Sequence, residues 1–217
     1  MRIRVAAILG LLLAGVSSGY ADTIFNFTGA FTADDNVQLF HYQVLNTGVV
    51  DVFTTSFANG GFAPILSVFD ASGNLQFFNV GSQTNDCINN GTDPATGSCW
   101  DARFSLNSVA GTNYLIALTE DDNVPLGPTF ADGFKEQGNG NFTAQPPFNP
   151  PVPGGKFLLS GPVQRTGDWA VTIQSAEPTL TATQVPSQVP EPSTLAMLLL
   201  TGGSLLVLRR KTKTNHR

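Results

Sequence analysis

Two acidic runs carry the side chains best suited to hold a ligand: Asp34-Asp35-Asn36 and Glu120-Asp121-Asp122-Asn123. Carboxylate and amide oxygens are the hard ligands that calcium takes, so Asp34, Asp35, Asp121 and Asp122 are a candidate cation set if the fold brings them together. The spacing of an EF-hand loop is absent, and Asp and Asn are also the residues of tight turns, so both readings stay open. Cys87 and Cys99 flank a polar stretch, Ile88 to Ser98, that has nothing to pack on itself. A bridge between them would close a loop of about 13 residues and contribute roughly 3 kcal/mol in the chain-entropy model. Two cysteines with no nearby histidine make a poor zinc site. Between the two ends of the chain there is one histidine, His41, in an alternating segment where Phe40 and Tyr42 claim the inner face, so it is expected exposed. No nucleophile elbow, His-Glu-x-x-His pair or phosphate-cradling glycine loop is present. The residues point away from an enzyme. Trp100, Tyr114 and Trp169 offer rings for sugar stacking, with burial in a core as the competing reading.

The elements that must position these residues read as strands. Ile24–Phe31, Val37–Leu45, Val49–Phe57, Ile65–Phe69, Leu75–Phe78, Trp100–Leu106, Tyr114–Thr119, Phe157–Ser160 and Trp169–Ile173 are alternating or β-branched and aromatic runs bounded by turn residues. Asp70-Ala71-Ser72-Gly73-Asn74 is a hairpin turn, because Asp, Gly and Asn accept its backbone angles. About nine short strands and no convincing helix argue for one all-β sandwich over residues 22–176. Within it, the Gly-, Asn- and Pro-rich stretch at about 136–155 is expected to be a long surface loop. Residues 177–188, rich in Thr, Gln and Pro, are expected to form an extended stalk, since such composition buries too little apolar area to offset ordering entropy.

The two ends read differently from the body. Residues 1–21 open with Arg2 and Arg4, continue through an apolar run centred on Leu11-Leu12-Leu13, and finish on Gly19-Tyr20-Ala21, the layout of a secretory signal peptide. At the other end, Val189-Pro190-Glu191-Pro192 precedes an apolar run at about 194–208 and a basic tail at 209–217 containing Arg209, Arg210, Lys211 and Lys213. The prolines hold the chain extended in front of the apolar run, and the basic cluster favours a cytoplasmic C-terminus with the body outside. As a helix the run is about 22 Å long against about 30 Å of hydrocarbon, short for a permanent anchor. Between Asp22 and Pro192 lie four basic and all sixteen acidic residues, a net charge of −12. Such a surface repels phosphates and so excludes nucleic acid as a partner.

The order and spacing of Val189-Pro190-Glu191-Pro192, apolar run and basic cluster resemble the PEP-CTERM sorting signal. That resemblance implies a secreted bacterial protein whose tail is held in the inner membrane until an exosortase processes it. It further implies delivery to the cell surface or to an exopolysaccharide or biofilm matrix, with the secretion machinery and the exosortase as partners. Asn26–Phe40, Leu118–Asn123, Gly138–Thr143 and Arg165–Ala170 are similar to a family of PEP-CTERM-bearing secreted proteins, related in style to the pre-peptidase C-terminal β-sandwich. This similarity implies a jelly-roll-like body with no known catalytic activity. The alternative is a carbohydrate- or calcium-binding extracellular module.

Overall fold

Alternation of aromatic and β-branched residues with polar ones makes strands that bury one face, and such strands need a second sheet to bury it against. The computed structural model describes residues 22–80, 91–176 and 179–186. It shows eleven strands and no α-helix among these residues: β1 (Thr23–Ala30), β2 (Gln38–Gln43), β3 (Gly48–Thr54), β4 (Pro64–Phe69), β5 (Leu75–Val80), β6 (Arg103–Ser108), β7 (Asn113–Glu120), β8 (Leu158–Leu159), β9 (Val163–Gln164), β10 (Asp168–Ser175) and β11 (Thr181–Val185). Two short 3-10 turns, Phe130–Asp132 and Phe142–Ala144, lie in the β7–β8 connection. One sheet has the order β1-β10-β3-β6, the second β11-β2-β7-β4-β5, and β8 and β9 form a small hairpin. Every strand pairing is antiparallel.

The main core lies between the two large sheets. Val50, Val52, Phe104, Val171 and Ile173 come from the first; Phe40, Tyr42, Leu66, Val68, Ile116 and Leu118 come from the second. Gly29 sits opposite Trp169 on the β1–β10 ladder, and a Cβ there would fall 2.2 Å from the indole Cζ2. Only glycine leaves that strand room for the ring. The outer face of the second sheet is also covered, because Phe130 and Phe134 pack with Val37, Leu39, Phe69 and Ala117. Strand β4 is accordingly buried at all six positions, with none of the alternation of a half-exposed strand.

The nine expected strands all correspond to observed ones, and the hairpin turn forms with Asp70 accepting from the Ser72 and Asn74 amides at 2.9 Å. Two expectations need correction. The supposed stalk is in part the edge strand β11: Thr181–Val185 pairs with β2, and Leu180 and Ala182 join the core. The ladder of β2 supplies hydrogen bonds that composition could not reveal. The Pro-rich loop is not merely superficial either. Phe142, Thr143, Ala144 and Asn149 are buried, and Asp34, distant in sequence, binds Thr143. The signal segment, Cys87, the sorting motif at 189–192 and the apolar and basic parts of the tail lie outside the described residues. Among the described residues no helix is long and apolar enough to cross a membrane.

Candidate functional site

The chemistry gathers at one end of the sandwich, where the β1–β2, β7–β8 and β8–β9 connections meet. Asp34, in the β1–β2 connection, is wholly buried. Its Oδ1 accepts from the Phe157 amide at 2.7 Å, and its Oδ2 accepts from the Thr143 amide at 2.9 Å and from the Thr143 hydroxyl. Thr143 Oγ1 in turn accepts from the Leu158 amide at 3.0 Å. Asp35 Oδ2 accepts from the Gly140 amide at 3.0 Å. These two carboxylates therefore stitch the long loop to the sandwich, and Asp34 holds Phe157 at a φ of 53°, a backbone conformation that bulky residues seldom adopt.

The second acidic run begins on β7. Tyr114, Ile116 and Leu118 point into the core, and the two-residue period of the strand places Glu120 on the same inward face. Glu120 is 3% exposed, and its Oε2 meets no hydrogen-bond partner. Burial drives its pKa well above the usual carboxylate value, and the nearby charges of Asp34 and Asp121 add to the rise. Burial also raises Asp121, against the hydrogen bond it accepts from the Asp122 amide. Asp122 pairs with Lys135 at 3.2 Å on the surface.

Glu120, Asp121 and Asp122 line a cavity of about 430 Å³, together with Thr96, Ser98, Trp100, Thr143, Phe148, Asn149, Ser160 and the apolar Leu158, Leu159 and Val163. That volume falls within the range of about 300–1,000 Å³ usual for small-molecule sites. Behind one wall, Arg165 and Asp93 form a buried ion pair at 3.0 Å, and Arg165 also donates to the Gly61 and Phe57 carbonyls. Asp101 accepts from Thr54, Phe57 and Ala58, fixing the β3–β4 connection that carries Phe57 and Ala63 to the cavity.

The two sequence-predicted acidic clusters thus meet, with Asn123 Nδ2 donating to the Asp35 carbonyl at 3.4 Å, but they do not build the expected cation cage. Asp34 is occupied by three protein donors, Asp35 binds a backbone amide and Asp122 binds a lysine. Among the described residues no group of three or more Asp, Glu, His or Cys side chains is placed to hold a metal ion. Glu120, which was not in the expected set, is the carboxylate left over. Strand parity was the signal that could have singled it out. The three-ring platform does not form: Tyr114 stacks on Tyr42 with centroids 5.0 Å apart, Trp169 packs edge-on against Phe40 at 5.7 Å, and only Trp100 reaches the cavity. His41 is exposed on β2, as its position in the alternation required, and does not line the cavity. Cys99 is 1% exposed.

Residues 188–211 match the family model of the PEP-CTERM protein-sorting motif. The match takes in Val189, Pro190, Glu191 and Pro192, the apolar run, and Arg209, Arg210 and Lys211; Lys213 falls just beyond it. It supports an exosortase substrate: a secreted chain, anchored transiently in the membrane before processing. The match does not extend into the sandwich, and no curated protein matches the chain. The similarity of the body to the pre-peptidase C-terminal family is without support.

Proposed function

We propose that this chain is a non-enzymatic protein of the bacterial cell surface or exopolysaccharide matrix. It is exported by its signal segment, held in the inner membrane by residues 194–208 with the body in the periplasm, and released by an exosortase near Pro190–Pro192. The observation that carries this reading is the sorting motif placed directly after a folded, strongly acidic β-domain. The acidic surface suits a soluble extracellular protein. The strand orders β1-β10-β3-β6 and β2-β7-β4-β5 are those of two interleaved Greek keys, which supports a jelly-roll-like body. The burial of Cys99 supports a Cys87–Cys99 bridge formed in an oxidising compartment. The cavity at the loop end supports the second reading, an extracellular module that grips a small ligand of the matrix.

Intact-mass measurement on the protein recovered separately from envelope and medium tests the proposal. The released form is expected to lack residues 1–21 and everything beyond the Pro190–Pro192 region, and to be two hydrogens lighter than its reduced form. A released form that keeps a C-terminal tag, or a chain found only in the cytoplasm, overturns it.

A further inference from the structure

The charged side chains lining the cavity are all acidic: Glu120, Asp121 and Asp122. Among the described residues no lysine or arginine lines it, and Lys135, which touches the cluster, is engaged with Asp122 and Glu136 and lies over the Phe148 ring at 5.6 Å from its centroid. Such a lining favours a cation over an anion as occupant. Glu120 adds an independent observation, since it is 3% exposed and its Oε2 lacks any partner. A buried polar atom without a partner is costly, and the cost vanishes if a ligand supplies the donor. Trp100 and Phe148 provide aromatic wall, and such rings attract a cation as well as covering the apolar face of a sugar ring. Thr96, Ser98, Asn149 and Ser160 bring hydroxyl and amide groups to the same space.

We propose that this cavity is a binding site for a cationic amino sugar, with Glu120 as the counter-ion to the ligand's ammonium group and Trp100 and Phe148 as walls around its ring. An ammonium group brings three donors and a positive charge, and it answers both the unpartnered oxygen and the mutual repulsion of Glu120, Asp34 and Asp121. In the empty cavity, burial and those two neighbouring carboxylates favour the protonated form of Glu120. Seating the ammonium favours the carboxylate. Binding is therefore accompanied by proton release wherever Glu120 is protonated in the empty cavity and the ligand still carries its ammonium. The site depends on the cavity alone and stands whether or not the tail is processed as proposed.

Calorimetric titration of the full chain in detergent, with glucosamine, glucose, N-acetylglucosamine and calcium chloride as probes, tests this. Glucosamine is expected to bind at least about tenfold more tightly than either neutral sugar, and titration in buffers of different ionisation heat is expected to show a net release of protons on binding. Glu120→Gln should abolish both the preference and the release. Trp100→Ala should weaken binding while leaving the release in place. Should Glu120→Gln fail to fold, the ranking of glucosamine against the two neutral sugars on the unaltered chain decides. Equal binding of all three sugars, no binding of glucosamine at millimolar concentration, or calcium binding that excludes glucosamine would each overturn the proposal.

Discussion

Replacing Asp34 with alanine tests most directly what the first acidic run does. The change strands two buried backbone amides, those of Thr143 and Phe157, and removes the acceptor of the Thr143 hydroxyl. Leaving a buried donor unsatisfied costs about 1–3 kcal/mol, so the two amides together set a loss of about 2–6 kcal/mol. Relief of the repulsion between Asp34 and Glu120 offsets part of this, which places the net loss at about 2–5 kcal/mol. For a domain of this size each kcal/mol moves the melting temperature by about 2–4 °C, so the midpoint should fall by roughly 4–20 °C. Urea and thermal unfolding of the two proteins, each with and without a chelator, measure the loss. Limited proteolysis should show the earliest new cuts within 145–154, the loop that Asp34 anchors. Asp34→Asn keeps one acceptor oxygen and should lose less. A loss below about 1 kcal/mol would refute the anchoring role, and a loss seen only when calcium is present would make Asp34 a cation ligand instead.

Leu180→Ala should cost about 2–4 kcal/mol by leaving a cavity beneath β11, whereas a change in an unpacked stalk would leave urea unfolding untouched. Glu120→Gln should stabilise the protein, by more at alkaline than at acidic pH. The raised pKa of Glu120 means that its contribution is fully present below the unfolded carboxylate value and is lost as pH rises through the folded one. Melting temperatures across the pH range read this, and a gain independent of pH would contradict it. Cys87→Ser should lower stability by roughly 3 kcal/mol and abolish the difference between reduced and unreduced melting curves; identical curves in the unaltered chain would remove the bridge.

The accuracy of a sequence reading here follows the range of the forces involved. Strands β1, β2 and β10 were legible because alternation is local: Phe40 and Tyr42 face inward and His41 outward in the sequence as in the fold. The turn at Asp70–Asn74 was equally plain, since its hydrogen bonds span four residues or fewer. Strand β11 was missed because its evidence lies in β2, about 140 residues earlier, whose ladder it completes. The loop at 136–155 was misread for the same reason. Its composition is that of an exposed segment, and only the carboxylate of Asp34, more than a hundred positions away, pulls Thr143 and Phe157 inside.

The sorting tail is a linear signal, carried by the order of its residues, and the sequence alone determined it, along with the all-β class and the sign of the surface charge. Which carboxylate would be left without a partner was decided by tertiary structure. Strand parity turns Glu120 inward, but nothing along the chain says which of Asp34, Asp35 and Glu120 to Asp122 finds a partner. Their surroundings differ only once loops distant in sequence close around them, satisfying Asp34 and Asp35, pairing Asp122 with Lys135, and burying Glu120 at the wall of a cavity. Desolvation and hydrogen-bond supply are properties of a place in space, and for Glu120 that place exists only in the folded sandwich.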